Sequence, residues 1–121
     1  GELVARLRAM LRRGARTPES SATEIVFGDV RLDVANHTVL RAGQPVKLTP
    51  GEFRLLAHLA IHPGKVLTHR HLLREVWGPS HAEDSHYLRV YMGRLRAKLE
   101  ADPARPRHLT TETGVGYRFV P

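Results

Sequence analysis

The sequence has 121 residues, 41% of them hydrophobic, which suits one domain with a modest core and argues against disorder throughout. Lys and Arg outnumber Asp and Glu by 19 to 12, and the net charge of +7 points to a polyanion or an anionic surface as partner. The absence of cysteine excludes disulfide frameworks, Cys-ligated zinc and iron–sulfur clusters, and no apolar run approaches the roughly 18 residues of a membrane span, so we expect a soluble, cytoplasmic chain.

Residues 1–16 predict an amphipathic helix, because Leu3, Leu7 and Met10 recur at helical spacing among five arginines. A helix this short is marginally stable alone and its apolar stripe needs a partner, so we interpret it as the remnant of the last helix of a preceding domain. A basic helix for a membrane surface or a nucleic acid is the alternative. Residues 17–24 have the composition of a linker, which leaves 25–121 as the folded domain.

Four short runs then alternate apolar with polar residues, at 25–27, 30–34, 39–40 and 46–48. This period of two, interrupted by turn-forming residues, predicts strands rather than helices. Because the connections are short, we expect the four strands to form a small antiparallel sheet.

Three helices are predicted between residues 49 and 100. Thr49 and Glu52 form a capping box around Pro50, Thr68 caps a second helix after a short strand at 65–67, and the third helix runs from about Asp84 to Glu100. The predicted buried faces are Phe53, Leu56, Ala57 and Ala60 in the first helix, Leu72, Leu73, Val76 and Trp77 in the second, and Leu88, Met92, Leu95 and Leu99 in the third.

The C-terminal residues predict a β-hairpin, with strands at 108–112 and 117–120 and a glycine-rich tip between them. Together the elements describe an α+β fold: a winged helix-turn-helix with an N-terminal four-stranded antiparallel sheet, three helices and a C-terminal β-hairpin wing. In this architecture the second and third helices are the pair that reads DNA.

The third helix carries a distinctive face opposite its apolar stripe. If each residue advances about 100° around the helix, this face holds small residues that let the helix backbone approach DNA closely. The long side chains on both sides of it are expected to reach phosphates on the two strands. The face consists of His86, Val90, Gly93, Arg94 and Ala97, flanked by Tyr87, Tyr91 and Lys98 on one side and by Arg89 and Arg96 on the other. A basic face that is merely solvated is the alternative, but it does not explain the small residues.

Other chemistries find little support in the sequence. His69 and His71, two residues apart on a helix, face in different directions, and we interpret the eight histidines as solvated side chains rather than metal ligands. Asp84, Ser85 and His86 are neighbours at a helix start, where Asp84 suits an N-cap better than a catalytic triad. We therefore expect no catalytic site, no cofactor and no metal.

Five motifs in order resemble the effector domain of OmpR/PhoB-type response regulators. They are LTPxEFxLL from Leu48, GKVLTxxxLL from Gly64, VWG from Val76, LRxKL from Leu95 and GxGYRF from Gly114. The resemblance covers residues 25–121, and residues 1–16 are similar to the closing helix of the receiver domain in that family. Within the family, residues 77–79, 85–93 and 102–108 are most similar to regulators of potassium-transport operons.

The resemblance implies a bacterial transcriptional regulator that binds tandem promoter half-sites as a head-to-tail dimer, is a monomer when free, and answers to a membrane sensor histidine kinase through its receiver. It also implies contacts with RNA polymerase from the loop after the second helix, and DNA contacts from the wing in addition to the third helix. The loop residues are Gly78, Pro79, Ser80, His81, Ala82 and Glu83, and the wing residues are Thr111, Thr113 and Tyr117.

Two positions depart from the family's pattern. Gly93 stands where many members have Arg, and Thr113 occupies a wing position that is Arg in some of them. Sequence readout is therefore expected to rely on the helix and on DNA shape more than on the wing. The rival interpretation of the whole domain is a winged helix that serves as a protein-interaction module without specific DNA binding.

Overall fold

The computed structural model describes residues 24–121, so the helix predicted at 1–16 and nearly all of the linker predicted at 17–24 lie outside the described residues. The described chain runs β1 (Glu24–Phe27), β2 (Val30–Asp33), β3 (Thr38–Arg41), β4 (Gln44–Pro45), α1 (Pro50–Ala60), β5 (Val66–Thr68), α2 (His69–Trp77), a 3-10 turn (Pro79–His81), α3 (Ser85–Leu99), β6 (Leu109–Glu112) and β7 (Gly116–Phe119). This order confirms the α+β winged helix, and places Glu24 in a strand rather than the linker.

The N-terminal sheet is antiparallel with strand order β1-β2-β3-β4, as predicted. The predicted position of its fourth strand was wrong. Ala42 and Gly43 both have positive φ and form a two-residue turn, which places Gln44 directly opposite Arg41 and starts the strand earlier than the apolar residues suggested. Val46 and Leu48 instead pack against the core as half-buried side chains.

The capping box of α1 is confirmed: Thr49 Oγ1 accepts from the Glu52 backbone N–H at 3.2 Å, and Glu52 Oε1 accepts from the Thr49 N–H at 3.0 Å. Its buried face is wider than predicted, since Leu55 and Leu59 are fully buried as well, whereas Ala57 is half-buried. The helix contacts α2, α3 and β7, and a helix enclosed by three elements buries more than one stripe.

The start of α2 and the buried face of α3 agree with the sequence. Thr68 Oγ1 accepts from the His71 N–H at 3.1 Å, and all four predicted residues of the α3 stripe are at most 2% exposed. Asp84 occupies the N-cap position of α3 but makes no side-chain capping bond, because its Oδ2 instead lies 3.1 Å from His81 Nδ1.

The predicted hairpin exists and also takes in β5, giving a three-stranded sheet with order β5-β7-β6. Gly114, with φ of +77°, is a turn residue. Gly116 has a different reason: a Cβ there would lie 1.9 Å from the Leu67 carbonyl oxygen, so β5 approaches β7 only because this residue is glycine. The two sheets meet where Phe27 packs edge-on against Phe119, with ring centroids 4.9 Å apart.

Glu100 connects the end of α3 to the wing. Its carboxylate is 2% exposed and accepts from the backbone N–H groups of Arg107 and His108, both at 2.9 Å, and of Leu109 at 2.7 Å. Burial alone would raise the pKa of this carboxyl, but the three hydrogen bonds outweigh it and the pKa is lowered. The ionised side chain therefore determines where β6 begins relative to α3.

Replacing Glu100 with Gln tests this connection. The amide turns a donor toward buried N–H groups, so urea unfolding at neutral pH should show a loss of about 1–3 kcal/mol. Because the folded-state pKa is lowered, the contribution is present above the ordinary glutamate pKa and is lost as pH falls through the folded value, so wild type and variant should converge in acid. Glu83→Gln, at an exposed position, is the control; an equal loss in both variants would contradict this role.

Candidate nucleic-acid interface

The face of α3 predicted to meet DNA is solvent-exposed. His86, Val90, Gly93, Arg94 and Ala97 all lie on the surface while the opposite stripe is buried. Val90 is 38% exposed, high for an apolar side chain on a helix with so complete a core stripe. The apolar and small residues of this face therefore have no packing role in the described domain that explains them.

Gly93 stands in open space. Apart from the adjacent backbone of the helix itself, no heavy atom of the described residues lies within 4 Å of the position that a Cβ would take, so none of them requires a glycine. A glycine in a helix interior costs roughly 1 kcal/mol relative to alanine. Gly93 therefore lowers the stability of the helix, and no contact within the described domain offsets this loss. Such a glycine is expected where the backbone of a partner approaches the helix.

An aromatic cluster of Trp77, Tyr87 and Tyr91 borders this face. Trp77 packs edge-on against both tyrosines, with centroids 5.1 Å from Tyr87 and 4.8 Å from Tyr91, and the guanidinium of Arg94 lies 5.3 Å from the Tyr91 centroid. Trp77 is half-buried rather than fully buried as predicted: it packs against the core and also supports the two tyrosines. An open concavity of about 820 Å³ is lined by Tyr87, Val90, Tyr91 and Arg94 together with residues 81 and 83–86.

The Arg96 side chain makes hydrogen bonds within the domain. Its Nε donates to the Leu109 carbonyl at 2.9 Å, an Nη donates to Thr111 Oγ1 at 2.6 Å, and its guanidinium lies 5.6 Å from the Tyr117 ring centroid. Burial lowers the pKa of Arg96, as expected for a half-buried guanidinium. The side chain expected to reach a phosphate instead joins the third helix to the wing.

Lys98 also has partners within the domain, and its side chain is 35% exposed. Its Nζ lies 2.7 Å from Oε1 of Glu52, which is 1% exposed, and 2.9 Å from the Lys47 carbonyl oxygen. Burial raises the pKa of a carboxyl such as Glu52, but the bonds from Lys98 and the Thr49 N–H outweigh it, so the pKa is lowered. Lys98, which was predicted to flank the DNA-facing side of α3, therefore forms an ion pair between α1 and α3 in the free domain.

The three predicted wing residues have different environments. Thr111 and Thr113 are exposed, and Thr113 lies at the tip beside Gly114. Tyr117 is 4% exposed and belongs to the core, where its ring also meets His69 edge-on at 5.4 Å. Its burial does not support the predicted wing contact, because its position in β7 turns the ring inward.

The loop predicted to contact RNA polymerase connects α2 to α3 at the surface of the domain. It begins at Gly78, whose φ of +110° allows the chain to leave α2, and includes the 3-10 turn. Pro79, Ser80 and Glu83 are exposed, whereas Gly78, His81 and Ala82 are half-buried. Arg70 lies 2.5 Å from Glu83, so this exposed acidic side chain faces a base from α2.

The histidines are less uniformly solvated than predicted. His58 and His62 are four residues apart, a spacing that places them together and that the interpretation as surface side chains overlooked. His58 Nε2 lies 2.9 Å from His71 Nε2, and burial, followed by the charges of His62 and His71, lowers the pKa of His58. Within the described part of the chain, no three His, Cys, Asp or Glu residues are grouped to hold a metal ion.

Among residues 24–121, no helix has the length and apolar character that crossing a membrane requires.

Comparisons with known proteins show which family this chain is similar to. Residues 43–119 match the family described as "Transcriptional regulatory protein, C terminal". The chain is 58% identical over 120 residues to the KDP operon transcriptional regulatory protein KdpE of Escherichia coli, covering 99% of this chain and 53% of that protein. The chain thus spans about half the length of the curated relatives it matches.

Two solved structures are similar in fold. The response regulator DrrB of Thermotoga maritima, an OmpR/PhoB homolog, matches with a TM-score of 0.73 and 35% identity over 82% of this chain and 45% of its own. The RstA DNA-binding domain of Klebsiella pneumoniae, solved in complex with the RstA box, matches with a TM-score of 0.72 and 30% identity over 80% of this chain and 96% of its own.

Arg96→Ala should loosen the wing while leaving α3 folded. Two hydrogen bonds and a cation–π contact disappear, and at about 1 kcal/mol per bond the amides of β6 and β7 should exchange roughly tenfold or more faster. Arg89→Ala, the same change at an exposed position of the same helix, is the control for hydrogen exchange. Equal exchange of the wing amides in the two variants would show that Arg96 does not hold the wing.

Proposed function

Because this chain belongs to the "Transcriptional regulatory protein, C terminal" family, as the DNA-binding effector domain of an OmpR/PhoB-type response regulator, we propose that it binds promoter DNA sequence-specifically by placing α3 in the major groove. The observation that carries the proposal is the division of α3 into a fully buried stripe and an exposed face of small residues with Arg94 on it. The domain acts as a transcriptional regulator rather than an enzyme.

The dimensions of the groove explain why small residues matter. A major groove about 12 Å wide admits a helix of about 10–12 Å diameter, and bulky side chains on its leading face would hold the backbone away from the bases. Val90, Gly93 and Ala97 allow that approach. Arg94 then extends to a base edge, where arginine pairs best with O6 and N7 of guanine, while His86, Tyr87 and Tyr91 lie within reach of neighbouring bases or sugars.

Phosphate contacts are assigned differently from the sequence-based expectation. Arg89 is exposed at the edge of α3 and is proposed to contact the backbone directly. Arg96 and Lys98 support binding indirectly, since their side chains hold the wing and α1 in place. Thr111 and Thr113 are the proposed wing contacts, with the narrow tip entering the minor groove and DNA shape supplying part of the specificity.

The whole protein is proposed to work as its family does. Residues 1–16 are proposed to close a receiver domain and 17–23 to form the linker, since Glu24 belongs to β1, and a sensor histidine kinase acts through that receiver. The effector domain is a monomer when free and a head-to-tail dimer on tandem half-sites in the cytoplasm, with residues 78–83 contacting RNA polymerase. It uses no cofactor or metal and does not engage the membrane.

The regulated genes are proposed to be a potassium-transport operon. This assignment is supported by the 58% identity to the regulator of the KDP operon. The alternative function, a protein-interaction module, is favoured only by the apolar exposure of the domain, such as Val26 at 50% and Ile61 at 54%. It leaves the small residues of α3 unexplained.

Selection of bound sequences from a random duplex pool tests the proposed function. We expect enrichment of a shared motif, present as two tandem copies in the tightest duplexes, and affinity that falls steeply with salt because phosphate contacts release counterions. A protein-interaction module predicts no enriched motif and no salt-sensitive affinity. That result would overturn the proposal.

The Gly93→Ala variant tests whether the helix backbone lies close to DNA, independently of its effect on domain stability. Because a Cβ at this position meets nothing within 4 Å, the variant should be more stable by up to about 1 kcal/mol in thermal or urea unfolding. The same methyl should weaken binding to the selected duplex if the helix backbone lies against DNA. Ala97→Gly is the converse control, expected to lower stability by about 1 kcal/mol without adding bulk. A Gly93→Ala domain of unchanged affinity would contradict close approach at this residue.

A further inference from the structure

We propose that Tyr91 is a positioning residue for Arg94. In the free domain the aromatic cluster holds the Arg94 guanidinium over the Tyr91 ring, and this contact contributes to specificity at the base that Arg94 reads. The inference rests on the proposed function. It goes beyond it by assigning Tyr91, in addition to its proposed contact with a neighbouring base or sugar, a role that acts through Arg94.

The contact itself is specific in geometry. The Arg94 guanidinium carbon lies 5.3 Å from the Tyr91 ring centroid, within the roughly 6 Å at which a cation is attracted to an aromatic face. Arg94 is three residues after Tyr91 on α3, so the two side chains share one side of the helix. Arginine is otherwise a long side chain with several rotatable bonds, and ordering it on binding lowers affinity.

The tyrosine ring is fixed by three separate elements. Trp77, at the end of α2, packs edge-on against it at 4.8 Å, and Tyr87, one turn earlier on α3, lies 5.0 Å away. On the side of α1, a Cβ at Gly51 would come 3.0 Å from Tyr91 Cε1 and 3.3 Å from its hydroxyl oxygen. Glycine at this position therefore gives the ring its space, and the ring has little freedom to move.

Tyr91 packs against the edge of the core, but this packing leaves one side of its ring facing Arg94. The buried face of α3 is complete without it, since Leu88, Met92, Leu95 and Leu99 are all at most 2% exposed. Tyr91 is half-buried at the edge of that stripe, with Arg94 on its open side. The cluster therefore resembles a rigid support for the arginine, and pre-ordering a reading side chain favours the correct base more than non-specific DNA.

The direct test is a double-mutant cycle on the 121-residue chain with a duplex obtained by selection. The measured quantity is the ratio of the affinities for that duplex and for one altered at the base read by Arg94. Tyr91→Leu should lower this ratio by about two- to tenfold. Tyr91→Phe keeps the ring and should restore the ratio. Tyr91→Leu should have little further effect on discrimination once Arg94 is alanine, but should remain additive with Arg89→Ala. Additivity with both arginine variants would overturn the inference.

A second measurement needs no DNA. Protons of the Arg94 side chain should show upfield ring-current shifts in the wild type and in Tyr91→Phe that disappear in Tyr91→Leu. Unshifted protons in the folded wild type would overturn the inference independently of binding. If the wild type itself selects no sequence while the ring-current shift is present, the proposed function fails and the positioning of Arg94 does not.

Discussion

Burial of one side of α3 is the constraint on which the rest of the molecule depends. Leu88, Met92, Leu95 and Leu99 are spaced so that a single helical face enters the core, and the helix cannot rotate without exposing them. The opposite face therefore points to solvent in an orientation that is fixed relative to the core. Every property assigned to the reading surface, including the position of Arg94 and the open space at Gly93, follows from this division.

Polar anchors then locate α3 relative to its neighbours. Lys98 pairs with the buried carboxylate of Glu52, Arg41 donates to the Lys98 carbonyl at 3.0 Å, and Arg96 joins the helix to β6. Glu100 holds the loop that follows. Residues 89–107 contain six basic and two acidic side chains, yet at least two of the bases serve the fold. The basic edge available to DNA is therefore narrower than the charge alone suggested.

Helix caps and the apolar stripe of α3 were predictable from the sequence, whereas a positive φ at a non-glycine residue and contacts between distant residues were not. The caps at Thr49 and Thr68 and the α3 stripe depend on residues within one or two turns. The start of β4 depends on backbone dihedrals at Ala42, and the need for Gly116 on the approach of a strand almost fifty residues earlier. Likewise, helical angles alone cannot tell that a basic side chain such as Arg96 has a partner inside the domain.

The central claim, that the exposed face of α3 contacts duplex DNA, is tested most directly by mapping amide chemical-shift changes as a selected duplex is added to the labelled chain. We predict the largest changes at Val90, Gly93 and Arg94, smaller ones at Thr111 and Thr113, and almost none in the four-stranded sheet. Changes confined to that sheet, with the α3 amides unmoved, would contradict the account.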